Sequence, residues 1–210
     1  MCNSPAGQRD GGGRAPGRPP PAAPLAARGS TGARWAALTP ASTTSQSPTI
    51  RAAKPGDAAA IAAIHNQGIE ERVATFETEP RLSPDVAARI EGGELLLVAE
   101  RGGEVLGFAS VSPYSSRAVY AGVGEASIYV ARDARGLGVG AALVEALAAA
   151  AAEQGLHKLV GRLFTSNEPS VALFRKHGFR EVGVHRRHSR LDGRWRDVLL
   201  VERLVGDALG

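Results

Sequence analysis

The chain has 210 residues, is 43% hydrophobic and only 5% aromatic, which allows one or two domains with a mostly aliphatic core. The formal net charge of +4 does not mark a nucleic-acid face, because residues 1–48 carry five arginines and one aspartate while the remainder carries 20 basic and 20 acidic residues. One cysteine, Cys2, excludes an internal disulfide and a cysteine-based zinc site, and no apolar run approaches the roughly 18–20 residues of a membrane span.

Residues 1–48 are rich in Gly, Pro, Ala, Arg, Ser and Thr and lack apolar periodicity. Such a segment buries too little surface to offset its ordering entropy, so it is expected to be disordered. It reads either as a dispensable extension or as an arginine-bearing interaction tail. Pro, Gly and Arg interrupt it throughout, so it does not resemble a secretory signal. With no signal, no span and no disulfide, the expected location is the cytoplasm, with neither nucleic acid nor membrane as a partner.

Residues 49–210 are expected to form one folded domain. Thr49 to Ala53 read as a first strand, and Pro55-Gly56-Asp57 start a helix whose apolar stripe is Ile61, Ile64 and Ile69. Val73 to Phe76, β-branched and aromatic, read as extended. Ser83-Pro84-Asp85 open a short helix with Ser83 at the N-cap. Glu94 to Glu100 and Val105 to Ser112 are paired strands around a tight Gly102-Gly103 turn. Pro113 to Gly122 form a loop holding Tyr114, Arg117 and Tyr120.

The most informative stretch is Gly124 to Leu143, GEASIYVARDARGLGVGAAL. In its strand, Ala126, Ile128 and Val130 alternate with Glu125, Ser127 and Tyr129, giving two chemically different faces. Gly136, Gly138 and Gly140 then open a helix running from about Leu137 to Gln154, with Gly155 as its C-cap. A helix N-terminus presents unpaired N–H groups and a partial positive charge, which suits a phosphate. The spacing is neither that of a P-loop nor that of a dinucleotide fingerprint. Arg135 to Gly140 read either as a pyrophosphate cradle or as a flexible turn tightened for packing. Leu156 to Phe164 follow as a strand, Glu168 to His177 as a short helix, and Phe179 to Leu191 with Trp195 to Leu204 as a final hairpin around Asp192-Gly193. Antiparallel hairpins ahead of a strand–helix–strand crossover predict an α/β fold with a mixed, mostly antiparallel twisted sheet flanked by helices.

Strand–RDARGLGVG–helix, followed by Asn167 and SVALFRKHGF, resembles the GNAT superfamily of acetyl-CoA-dependent N-acetyltransferases. IHNQGIEERVATFETEP, VGEASIYV and LDGRWRDV extend the likeness to its phosphinothricin N-acetyltransferase group, including members associated with arsinothricin resistance. The resemblance runs from Ile50 to about Leu204. It implies acetyl transfer from acetyl-CoA to the α-amino group of a small amino acid or analogue, in a homodimer. Other acceptors in the class are methionine sulfone, methionine sulfoximine and ordinary amino acids. A non-catalytic acyl-CoA-binding module is the reading outside the class.

Residue by residue, the resemblance implies that the backbone of Ile128, Tyr129 and Val130 pairs with pantetheine. One of those amides would hold the thioester oxygen as it gains charge, a role worth roughly 3–4 kcal/mol in comparable sites. Arg135, Gly136, Leu137, Gly138, Val139 and Gly140 would bind the pyrophosphate, and Asn167 and Ser170 the pantetheine arm. Asn167 is also a natural helix cap. Glu125 matches the family's catalytic glutamate and would accept the ammonium proton directly or through water. Its alternative is a surface carboxylate beside an arginine. Arg117, with Tyr114 and Tyr120, would recognise an anionic group. Ser115 stands where related enzymes often carry a second arginine. Phe76 is either an apolar wall of the site or simple core. Phe174 stands where many relatives carry tyrosine and some histidine as a proton donor, and phenylalanine cannot donate. His177 is expected to be a solvated helix-end cation. The basic run His185 to Arg190 suggests a structural or dimer-rim role, and His65, His157 and His185 show no metal-ligand spacing, so no metal is expected.

Overall fold

The computed structural model describes residues 47–209. The expectation for residues 1–48 therefore lies outside them, apart from Ser47 and Pro48. Among the described residues, seven strands form one sheet flanked by four α-helices. Strands β1 (Thr49–Ala52), β2 (Leu95–Arg101), β3 (Glu104–Pro113) and β4 (Val123–Val130) run in sheet order. Then come β5 (Lys158–Phe164), β7 (Arg194–Leu204) and β6 (Arg180–Leu191) at the far edge. All pairs are antiparallel except β4 with β5.

The apolar run of β2 faces helices on both sides, as a continuous hydrophobic strand should. Leu96, Val98 and Phe108 pack under α1 (Ala58–Glu71) and α2 (Ser83–Glu91), against Ala58, Ile61, Ala62, Ile64 and Val86. Leu97, Ala99, Leu106, Ala109 and Val111 face α3 (Val139–Glu153), which contributes Leu143, Val144, Leu147 and Ala151. The β2–β3 turn holds Gly102 at φ 61° and Gly103 at φ 85°, the two positive angles that a type I′ hairpin needs. The crossover from β4 through α3 to β5 closes the larger core.

Two local expectations differ from the structure. Val73 to Phe76 is not a strand. Arg72 ends α1 in the left-handed region at φ 57°, and the following segment is held by side chains rather than by a ladder. The Asn167 amide donates to the Val73 carbonyl at 3.1 Å, and Phe76 packs edge-on against Phe164 at 4.7 Å. At α2, Ser83 is already helical and Leu82 occupies the cap position, so the serine makes no cap hydrogen bond.

Helix α4 (Glu168–Lys176) explains Phe174. Its ring is buried, sits edge-on to Phe179 at 4.7 Å and lies so close to β5 that a Cβ on Gly161 would come within 2.9 Å of it. Phe174 is core, with no access to a reacting group. His177 is not solvated either: its Nδ1 meets Glu145 Oε1 of α3 at 2.7 Å, and Arg203 of β7 clasps the same carboxylate at 3.0 Å.

One buried carboxylate ties the first strand to the first helix. Asp57 is 5% exposed and accepts from Arg51 at 2.7 and 2.9 Å and from the Lys54 amide at 2.9 Å. Arg51 also reaches Glu100 of β2 through its Nε at 2.7 Å. The Arg51 guanidinium, with help from the Lys54 amide, holds the Asp57 carboxyl below the usual carboxylate range. A depressed folded-state pKa stabilises the protein fully above the unfolded value of about 3.9, and that contribution is lost as pH falls through the folded pKa. Asp57→Ala should cost roughly 1–3 kcal/mol at neutral pH, because Arg51 loses its buried partner. Urea melts at neutral and acid pH should show the deficit shrinking on acidification; a pH-independent deficit would contradict the ion-pair account.

Candidate active site

Strand β4 pairs with β3 along its length, from Gly107 opposite Val130 to Pro113 opposite Gly124. Its pairing with β5 covers only Val123 to Glu125 against Lys158 to Val160. Beyond Glu125 the two strands diverge, because β5 continues in register with β7 through Phe164. From Ala126 onward one edge of β4 has no strand partner, and its backbone groups there are open to a ligand.

A groove of about 620 Å³ lies at this opening. Ile128, Tyr129 and Val130 form one side, the Arg135 to Ala141 turn closes one end, and Asn167, Ser170 and Leu173 of the α4 segment form the other side. The first intrahelical bond of α3 runs from the Ala142 amide to the Gly138 carbonyl at 3.1 Å, leaving the amides of Val139, Gly140 and Ala141 without helical acceptors. Gly138 caps the helix at φ 80°, and a Cβ placed there would meet nothing within 4 Å, so the loop surface is unobstructed. This arrangement fits a phosphate on an extended arm. Leu137 is the exception among the expected loop residues: it is 52% exposed and does not line the groove. Arg135 is already engaged, since Glu71 of α1 binds it at 2.9 Å and binds Arg132 at 2.9 Å. Asn167 caps α4, its side chain accepting from the Ser170 amide at 3.2 Å while donating to Val73.

A second cavity, about 420 Å³, opens on the α1/α2 face of the sheet. Its floor is the alternate face of β4, with Glu125, Ser127 and Tyr129, beside Ser110 and Ser112 of β3 and Arg162 and Phe164 of β5. Its opposite wall comes from His65, the Ala74 to Glu77 segment, Arg81 and Arg89. The strand alternation read from the sequence is thus the division between the two cavities. Ala74 and Tyr129 line both, so the groove and the cavity share a wall there.

Charge in the cavity is paired. Glu125 Oε2 meets Arg162 at 3.0 Å, with the glutamate side chain 24% exposed. Glu77 meets Arg81 at 2.5 Å. Arg89 is held by Glu94 at 2.5 and 2.6 Å, and its Nη1 has no partner among the described residues. Burial pushes the Tyr129 phenol up to about 12, so it stays protonated, and pushes His65 down to about 4, so it stays neutral.

The Arg117 loop is not part of this cavity. The Arg117 guanidinium lies 5.5 Å over the Tyr120 ring, and Tyr120 meets Tyr114 edge-on at 6.0 Å, forming a separate surface cluster. Phe76 does line the cavity while packing on Phe164, so wall and core are one role. His65, Glu77, Arg81, Arg89, Arg162 and His188 were not singled out by spacing, because they converge from four elements and one loop. His188 arrives through a register break in β6 between His185 and Ser189, where Arg187 adopts φ 48° and its amide donates to Asp197 at 2.7 Å. Among the described residues, no group of three His, Cys, Asp or Glu side chains is placed to hold a metal.

Comparison with known proteins agrees with this architecture. Residues 62–179 match the acetyltransferase (GNAT) family model. The phosphinothricin N-acetyltransferase of Streptomyces coelicolor is 35% identical over 67% of this chain and 86% of its own length. The L-methionine sulfoximine/L-methionine sulfone acetyltransferase of Pseudomonas aeruginosa is 33% identical over 74% of this chain and 94% of its own. The crystal structure of a phosphinothricin acetyltransferase from Sinorhizobium meliloti in complex with AcCoA superimposes with a TM-score of 0.73, at 29% identity, over 77% of this chain and 90% of that one. The chain belongs to the GNAT acetyltransferase family.

Proposed function

We propose that this protein transfers the acetyl group of acetyl-CoA to the α-amino group of a small amino acid or amino-acid analogue. The observation that carries the proposal is the shared wall at Tyr129 and Ala74 between a phosphate-fitting groove and a polar cavity. Two substrates held on either side of it can react directly. The described cavity residues include no cysteine, so the natural mechanism is direct attack rather than a thiol-bound intermediate.

The residues present fit acetyl-CoA. The amides of Val139, Gly140 and Ala141 would hold pyrophosphate, the open edge of β4 at Ile128 to Val130 would hold pantetheine, and Ser170 and Asn167 would flank it. Acetyl-CoA supplies an activated acyl group with a thiol of pKa near about 8.5, a fair leaving group without a dedicated acid. Glu125 would accept the proton that an ammonium must lose before it can attack. Arg162, 3.0 Å away, orients that carboxylate and offers a guanidinium to the acceptor's own carboxylate. The preferred acceptors are phosphinothricin-like glutamate analogues or methionine sulfone and sulfoximine, in line with the names of the relatives, and by the same chemistry arsinothricin-like analogues. The activity would then confer detoxification or resistance.

The proposal extends to a cytoplasmic homodimer. Acetyl-CoA is an intracellular metabolite. The edge strand β6 is exposed from Arg180 to His188, with Val182 and Val184 46% and 48% exposed, which offers an open strand edge to a second copy.

Glu125→Gln should keep acetyl-CoA affinity and lower turnover by about 10²-fold or more. Equal turnover across the neutral pH range would remove Glu125 from the mechanism. Gly138→Glu should abolish acetyl-CoA binding in calorimetry, by placing a charge in the phosphate position and straining a left-handed site. Normal binding would show that the cofactor lies elsewhere. An acceptor screen following free thiol release should find turnover among amino acids and their phosphinic, arsinic, sulfone and sulfoximine analogues; none would favour a non-catalytic acyl-CoA-binding protein.

A further inference from the structure

His65 is an expensive residue to place where it is. It projects from α1 toward Phe108 and Tyr129 of the sheet and is 2% exposed. Its ring lies 4.7 Å from Tyr129, which in turn stacks on Phe108 at 5.1 Å. Phenylalanine would fill this aromatic pile without cost. Instead, Nδ1 is buried with no partner among the described residues, and Nε2 faces Glu77 Oε2 at 3.8 Å, beyond hydrogen-bonding range. A buried polar ring with unmet hydrogen bonds destabilises the free protein, and such groups call for an explanation.

The same wall holds a second unmet group. Arg89 lines the cavity, is fixed by Glu94, and leaves Nη1 buried and unpartnered. Arg81, on Glu77, lies in this wall too. Across the cavity stand Glu125 and Arg162 on the strands. An amino acid carries its amine and carboxylate on one carbon. If Glu125 takes the amine's proton, both groups go to the strand wall, and the side chain extends toward α1 and α2.

We propose that His65 and Arg89 form the specificity wall of the acceptor cavity, reading an oxygen-bearing tetrahedral group at the end of the acceptor's side chain, such as a sulfone, sulfoximine or phosphinate. This rests on the amino-acid acetyltransferase reading above. His65 is unsuited to being the base, because an imidazole kept neutral down to about pH 4 accepts a proton poorly at neutral pH. Its part is to hydrogen-bond, so its loss should alter acceptor choice rather than acetyl-group chemistry. A site built to hydrogen-bond a substrate group discriminates strongly against an analogue lacking it.

The test compares L-methionine sulfone with L-methionine, which share a carbon skeleton and differ in the sulfonyl oxygens. In His65→Phe the ratio of kcat/KM for the sulfone to kcat/KM for methionine should fall roughly 10-fold. His65→Gln, which keeps a donor and an acceptor, should recover part of the sulfone preference. The Phe variant should melt at the same or a higher temperature, since the orphaned Nδ1 is gone. A lower melting temperature with unchanged selectivity in either variant would make His65 purely structural and overturn the inference. An equal loss on both acceptors would overturn it as well, moving His65 to the part common to all amino acids. Absence of turnover on any amino acid by the parent protein would instead sink the functional reading on which the inference rests.

Discussion

The parting of β4 from β5 after three paired residues is the constraint on which the rest of the structure depends. Backbone N–H and C=O groups inside a sheet need partners, and an interior strand with one open edge carries a standing cost unless something binds there. Here the opening lies in the middle of the sheet, flanked by the N-terminus of α3 on one side and α4 on the other. Because β5 remains bound to β7 along its whole length, the gap is held by the sheet itself. The groove is therefore a feature of topology, and the side chains around it only tune it.

The acceptor cavity follows a different principle. Its charges are arranged as ion pairs, Glu125 with Arg162 and Glu77 with Arg81, with Arg89 anchored from behind by Glu94. Partly exposed pairs of this kind contribute little to stability. Their value lies in holding each group in place, so that an incoming zwitterion can exchange partners with them instead of meeting bare buried charges. Nδ1 of His65 and Nη1 of Arg89 are buried in the same wall with no partner among the described residues. At the groove mouth, Glu71 plays a similar part by holding Arg132 and Arg135 beside the phosphate-fitting amides.

Local features of the sequence carried much of this. The alternation in VGEASIYV identified the two faces of β4, and the left-handed glycines before α3 marked the open amides. Asn167 is indeed a cap, and the structure adds its bond to Val73, a contact 94 residues back that no local pattern encodes. The opposite cavity wall was hidden for the same reason. His65 sits in an apolar helical stripe and reads as core, while Arg81 and Arg89 read as surface charges until α1 and α2 are folded over the sheet. Arg117, between two tyrosines, lies outside this cavity, with its guanidinium 5.5 Å over the Tyr120 ring. Val73 to Phe76 has strand-like composition, but the Asn167 side chain and the Phe164 ring hold it, so tertiary contacts override propensity.

The central claim is that two substrates occupy separate sites that meet at Tyr129, so that acetyl transfer is direct. Initial-velocity kinetics, with acetyl-CoA and L-methionine sulfone varied together, test this most directly. Intersecting double-reciprocal lines are the predicted result, because both substrates must be bound before reaction. Parallel lines, the mark of a ping-pong mechanism through an acetylated enzyme, would contradict the account.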